Sequence, residues 1–148
     1  NDSDLKEIQI VLKEEQDLLD TYDLHTQIEK SENRKIWLKS GGFIIIDKTE
    51  ALTSIDVNSG KYTGKKDLEQ TILKVNLEAS IEIAKQLKLR DIGGIVIIDY
   101  INMQTEENNK KIIEVLKEEL KKDRTKTQII GFSKLNLLEL TRKHICGS

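Results

Sequence analysis

The stretch Gly41-Gly42-Phe43-Ile44-Ile45-Ile46-Asp47-Lys48-Thr49-Glu50-Ala51-Leu52-Thr53-Ser54-Ile55-Asp56-Val57-Asn58-Ser59-Gly60 decides how the chain reads. Phe43 to Ile46 is apolar and rich in β-branched side chains after a glycine pair, which predicts a strand. Asp47 to Glu50 is polar and turn-like, and Ala51 to Val57 returns as a second strand. The two predict an antiparallel hairpin with its far end at Asn58-Ser59-Gly60. Side chains two apart on a strand share a face, so Asp56 and Asn58 project together.

Downstream, Lys61 to Lys66 reads as a loop carrying Lys61, Lys65 and Lys66. Asp67 reads as the N-cap of a long helix. Leu68, Ile72, Val75, Ala79 and Ile83 follow helical spacing, and the helix stops before Gly93-Gly94. The apolar run Ile95 to Ile98 predicts a buried strand that ends on Asp99. Open α/β sheets place ligands at such C-terminal strand edges. Thr105-Glu106-Glu107 opens a further helix with acids where the dipole favours them. Ile112, Leu116 and Leu120 form its inner face, and Lys121-Lys122 close it. Gln128 to Phe132 reads as a last strand, and Ser133 as the cap of a short helix containing Leu137, Leu138 and Leu140. Upstream, residues 4 to 20 carry Leu5, Ile8, Leu12, Leu18 and Leu19 in an amphipathic pattern, and 21 to 35 show no clear period. The predicted order is a leading helix, then ββαβαβα: an α/β fold whose crossover helices require a mixed, partly parallel sheet.

At 148 residues the chain fits one domain, or one domain with an extension. Its composition, 37% hydrophobic and 34% charged with no proline, implies a modest core under a charged surface. The net charge of -2 neither supports nor excludes a nucleic-acid partner, because local basic patches suffice for binding. A single cysteine, Cys146, makes no internal disulfide and fits a reducing, cytoplasmic setting. No run approaches the roughly 20 apolar residues of a membrane span. Asn1 at the start and Gly147-Ser148 at the end read as an excised piece of something longer.

Two acids and an amide at strand ends suggest a hard-metal site of oxygen ligands. Mg²⁺ takes one or two protein carboxylates and keeps several waters, and Mn²⁺ accepts a similar set. Asp56 or Asp99 alone would serve equally as a structural cap, and only the pair with Asn58 favours a metal. Lys61, Lys65 and Lys66 follow the Asp-x-Asn pair directly. Lys121, Lys122, Arg124 and Lys126 cluster before the last predicted strand. Both groups fit phosphates and also fit solvated helix ends. Tyr62 and Tyr100 are candidates to stack a base or to pack. His25 and His144 lack ligand-like neighbours, and Gly60-x-x-x-Gly64-Lys65-Lys66 lacks the hydroxyl and length of a phosphate loop.

The stretch from Gly41 to Gly60 resembles the catalytic core of the bacterial ribonuclease E/G family. So do Asn76-Leu77-Glu78-Ala79, the run from Gln86 to Gly94, Ile98-Asp99-Tyr100-Ile101-Asn102-Met103, Lys122-Asp123-Arg124-Thr125-Lys126 and Thr141-Arg142-Lys143. By this resemblance, residues 36–146 are the family's DNase I-like catalytic subdomain, and 1–35 end a preceding RNase H-like subdomain. Asp56 and Asp99 fall on its metal-binding acids and Asn58 on its supporting amide. The implied reaction is Mg²⁺-dependent endonucleolytic hydrolysis of single-stranded RNA to 5′-phosphate and 3′-hydroxyl ends, in RNA processing and decay by a homo-oligomeric parent. Lys126 matches a position where some members carry an arginine near the RNA backbone, and Lys61, Lys65, Lys66 and Arg124 join it as RNA-binding candidates. Asn102 stands where many members have aspartate. Nothing in the chain resembles the family's S1 domain, 5′-end sensor or zinc link, so an inactive scaffold or weak RNA-binding fragment is the competing expectation. A DNA-directed nuclease is a third.

Overall fold

The computed structural model describes residues 34–60 and 68–143. The predicted leading helix, the Asp67 cap, Lys61, Tyr62, Lys65, Lys66 and Cys146 lie outside the described residues. By compactness the chain divides into Asn1–Ile36 and Trp37–Ser148.

Among the described residues, six strands and two helices follow in the order β1 (Lys35–Trp37), β2 (Phe43–Lys48), β3 (Leu52–Asn58), α1 (Leu68–Leu89), β4 (Gly94–Asp99), α2 (Glu106–Leu120), β5 (Thr127–Phe132) and β6 (Leu138–Arg142). They form one mixed sheet of order β1-β2-β3-β4-β6-β5. The β2–β3 hairpin is antiparallel, as its alternation predicts, with Phe43 opposite Asn58 and Ile45 opposite Asp56. The α1 crossover sets β3 and β4 parallel, because a long helical connection returns the chain to the same end of the sheet.

Alternation assigns the two faces of the sheet. Ile44, Ile46, Ile55, Val57, Val96, Ile98, Leu138 and Leu140 are buried on one face. Val75, Ala79, Ile83 and Leu87 of α1 and Ile112, Leu116 and Leu120 of α2 complete that core. The opposite face carries Ile45, Ser54, Asp56, Asn58, Ile97 and Asp99, all half-buried or exposed. Thr105 caps α2, its hydroxyl accepting the Asn108 N–H at 3.2 Å. Among the described residues, no helix is long and apolar enough to cross a membrane.

One predicted element is corrected. Residues 133–140 do not form a helix; Leu138–Arg142 is strand β6, inserted between β4 and β5. The leucine triplet imitates a helical stripe, yet Leu138, Leu140 and Arg142 are buried while Glu139 and Thr141 are half-buried, which is a period of two. Ser133 does cap, but it caps a turn: its hydroxyl accepts the Leu135 and Leu137 N–H groups, both at 3.3 Å. Asn136 takes a left-handed φ of 64° there, which reverses the chain into β6. Strand β1 was also not anticipated, because Lys35–Trp37 is too short to show a period.

Candidate metal and nucleic-acid site

Asp56 and Asp99 are Cα partners on neighbouring parallel strands. Adjacent strands lie about 4.8 Å apart, and in-register residues point to the same face, so the two carboxylates stand side by side at the C-terminal sheet edge. Both are exposed on the face opposite the helices. Asn58 lies two residues beyond Asp56, and its Nδ2 donates to Asp56 Oδ2 at 3.1 Å. This bond engages one oxygen of the Asp56 carboxylate. Desolvation and then the negative charge of Asp56 hold the Asp99 carboxyl above the usual carboxylate range.

Among the described residues there is no cluster of three or more His, Cys, Asp or Glu side chains suited to a metal ion. What this edge could offer a cation is two carboxylates and an amide. That set fits Mg²⁺, which completes its octahedron with water, and it does not fit zinc, which wants imidazole or thiolate. A divalent cation would also relieve the repulsion that Asp56 imposes on Asp99.

The loop that follows Asp99 is held from three sides. Asn76, fully buried on α1, grips the Ile101 backbone twice: its Nδ2 donates to the carbonyl at 2.9 Å and its Oδ1 accepts the N–H at 3.1 Å. Glu69 accepts the Gln104 N–H at 3.1 Å and the Asn108 Nδ2 at 2.7 Å. Asn102 accepts from Asn136 Nδ2 at 2.8 Å, tying the loop to the β5–β6 turn. Asn76 escaped the sequence reading of the site, although its signal was present: an amide on the buried face of an amphipathic helix needs a partner.

Tyr100 is not available for base stacking. It is 3% exposed and shares a 2.6 Å hydrogen bond with Ser80 Oγ. Burial, only partly offset by that bond, pushes its hydroxyl far above the ordinary tyrosine value. The strand has ended at Asp99, so the alternation that would have turned Tyr100 inward was not legible as such.

Arg124 and Lys126 are exposed at the other end of the sheet. Thr127 pairs with Arg142 and Arg142 with Gly94, five residues before Asp99, so the separation along the strands alone is ~16 Å. A cavity of about 750 Å³ opens between α2 and β5, lined by Lys117, Lys121, Arg124 and Lys126 among apolar neighbours. The structure thus groups Asp56, Asn58 and Asp99 and keeps this basic cluster apart from them.

The model of the ribonuclease E/G family matches residues 1–145 of the chain. Ribonuclease G of Salmonella typhimurium (strain SL1344) is 48% identical over 128 residues, covering 86% of this chain and 26% of that protein. Ribonuclease G of Escherichia coli (strain K12) is 46% identical over the same share of each. Ribonuclease E of Escherichia coli (strain K12) is 43% identical over 131 residues, 88% of this chain and 12% of its own length. The chain therefore spans about a quarter of the ribonuclease G relatives it matches.

Proposed function

The chain belongs to the ribonuclease E/G family, and from that premise we propose that it carries the catalytic carboxylates of a divalent-metal-dependent endoribonuclease. The substrate is single-stranded RNA and the products are a 5′-phosphate and a 3′-hydroxyl. The register of Asp56 with Asp99 carries the reading, because it brings the two acids together at a ligand-binding sheet edge.

Asp56 and Asp99 would hold Mg²⁺, or Mn²⁺ in its place. When bound, such an ion neutralises charge on a phosphoryl oxygen and acidifies water. The chain's own groups do the rest. Asn58 holds Asp56 in one rotamer through its 3.1 Å bond, so the carboxylate need not reorganise when substrate arrives. The β-ladder behind Asp99 and the Asn76 clamp ahead of it fix the second acid. Arg124 and Lys126 are too far to touch the scissile phosphate and instead hold phosphates several nucleotides along the strand, where each contact adds salt-dependent affinity. Lys61, Lys65 and Lys66 follow β3 directly in sequence and are the candidates for phosphates nearer the acids.

Asp56→Asn and Asp99→Asn in the intact protein are each expected to lower Mg²⁺-dependent cleavage of a 5′-monophosphorylated AU-rich RNA by about 10³-fold or more. Circular dichroism is expected to stay unchanged. Wild-type cleavage rates in either variant would sink the assignment. RNA binding that needs neither acid, without any cleavage by the parent, would favour the scaffold reading.

A further inference from the structure

Trp37 and Phe43 form a tilted aromatic pair, with ring centroids 5.1 Å apart and planes at 60°. Phe43 sits directly opposite Asn58 in the β2–β3 ladder. Ile44 and Ile46 both take the buried face, so alternation leaves Phe43 on the face that carries Asp56 and Asn58. Phe43 and Asp56 are diagonal cross-strand neighbours, a relation that spans about 7–8 Å in sheets generally. Trp37 extends the aromatic surface away from the acids and is 50% exposed. An indole so exposed forgoes one of the largest apolar gains available to a side chain.

We propose that Trp37 and Phe43 form a nucleobase-stacking subsite for a nucleotide of single-stranded RNA adjoining the phosphate held at Asp56 and Asp99. The subsite rests on the nuclease reading above for its occupant. A phosphate at the two acids places its attached base within one residue diagonal of Phe43. The 60° tilt means that the two rings are not stacked face to face on one another. Stacking tolerates any base, because every base has a π-face. The subsite would therefore supply grip and register without sequence choice, beside acids that repel the backbone until a cation is bound.

Trp37 is the chain's one tryptophan, so its fluorescence reports on the subsite directly. Titrating the 148-residue chain with an uncleavable 2′-O-methyl hexamer of A and U is expected to quench the emission. An abasic sugar-phosphate hexamer of the same length is expected to leave it unchanged. In the intact protein, Trp37→Ala and Trp37→Leu should raise KM for single-stranded RNA by about tenfold or more, with kcat within threefold. Trp37→Tyr should restore KM to within threefold, and Trp37→Leu against Trp37→Tyr carries the comparison if the alanine variant does not fold. Emission indifferent to the base-bearing hexamer, an equal response to the abasic one, or equal KM across the variants overturns the subsite. Asp99→Asn run alongside separates the two readings: normal cleavage there removes the metal site, whereas quenching decides the subsite by itself.

Discussion

At Asp99, a residue proposed to hold the metal also carries an electrostatic cost. Desolvation and the neighbouring Asp56 raise its carboxyl pKa. A carboxylate that is harder to ionise folded than unfolded destabilises the fold above its folded pKa, and the penalty vanishes below its unfolded value near 3.9. Without divalent cation at pH 7, Asp99→Asn should therefore raise Tm slightly, because solvent screens this exposed carboxylate. The gain should shrink as pH falls towards 4, and Mg²⁺ should stabilise the parent more than the variant. Calorimetry with and without Mg²⁺ reads both effects, and a lower Tm for Asp99→Asn at pH 7 would contradict the repulsion argument. Gly42 is the second residue on which the site depends. A Cβ there would stand 2.6 Å from the Asn58 carbonyl oxygen and 3.0 Å from Val75 Cγ1. Backbone must move to admit it, and the backbone that moves is the one carrying Asn58. Gly42→Ala should cost about 1–3 kcal/mol in urea unfolding and lower cleavage more than its stability loss explains. An alanine variant of parental stability would show that the close approach is not real.

Among the elements, α1 does more than cover the sheet. Asn76 imitates a strand neighbour by giving the Ile101 backbone both a donor and an acceptor, and Ser80 Oγ backs it by donating to the Asn76 carbonyl at 2.9 Å. Asn76→Ala would leave the part-buried Ile101 N–H and C=O without their partner, at a cost of up to about 1–3 kcal/mol for each group. Because Ile101 follows Asp99 by two residues, kcat should fall about tenfold or more while KM for RNA stays within threefold. Ile83→Val, at a buried position further along α1, should lower stability by about 1 kcal/mol without changing kcat. Equal kcat losses in the two variants would reduce Asn76 to a packing residue. The same helix marks what could be read from the chain. Alternation and helical spacing are local, so the hairpin, both helices and the shared face of Asp56 and Asn58 were legible. The Asp56–Asp99 register depends on how a 22-residue helix returns the chain, and no local pattern encodes it. Residues 137–140 failed because three leucines in four positions satisfy either period, and pairing with β4 and β5 decides between them. The Trp37–Phe43 pair went unread because only the sheet brings the two rings together.

At the scale of the whole molecule, the end of the sheet opposite the acids is locked by one buried cation. Arg142, 2% exposed, donates through Nε to Asp123 Oδ2 at 2.8 Å. Its Nη1 reaches Asp91 Oδ1 at 3.0 Å and the Ile92 carbonyl at 3.1 Å. The exits of α1 and α2 are thereby fastened to β6. Burial alone would raise the Asp123 carboxyl, but the Arg142 hydrogen bond, the Thr125 N–H and the charges of Arg142 and Lys88 outweigh it and hold the pKa below the usual range. A carboxylate depressed in the folded state contributes stability above its unfolded pKa, and the contribution is lost as pH falls through the folded value. Arg142→Met removes the cation and leaves Asp123, whose side chain is 4% exposed, buried without its partner, a change that costs about 3–5 kcal/mol. Urea unfolding should show that full difference at pH 7. The difference should narrow as pH falls, first above about pH 4, where the variant's buried Asp123 protonates, and then below it, where the parent's does. Asp123→Asn, which keeps the shape but not the charge, should lose less at pH 7 and show a flatter pH profile than the parent. A constant gap between parent and Arg142→Met from pH 7 down to pH 3 would mean that packing of the arginine stem, rather than its charge, fastens the helices.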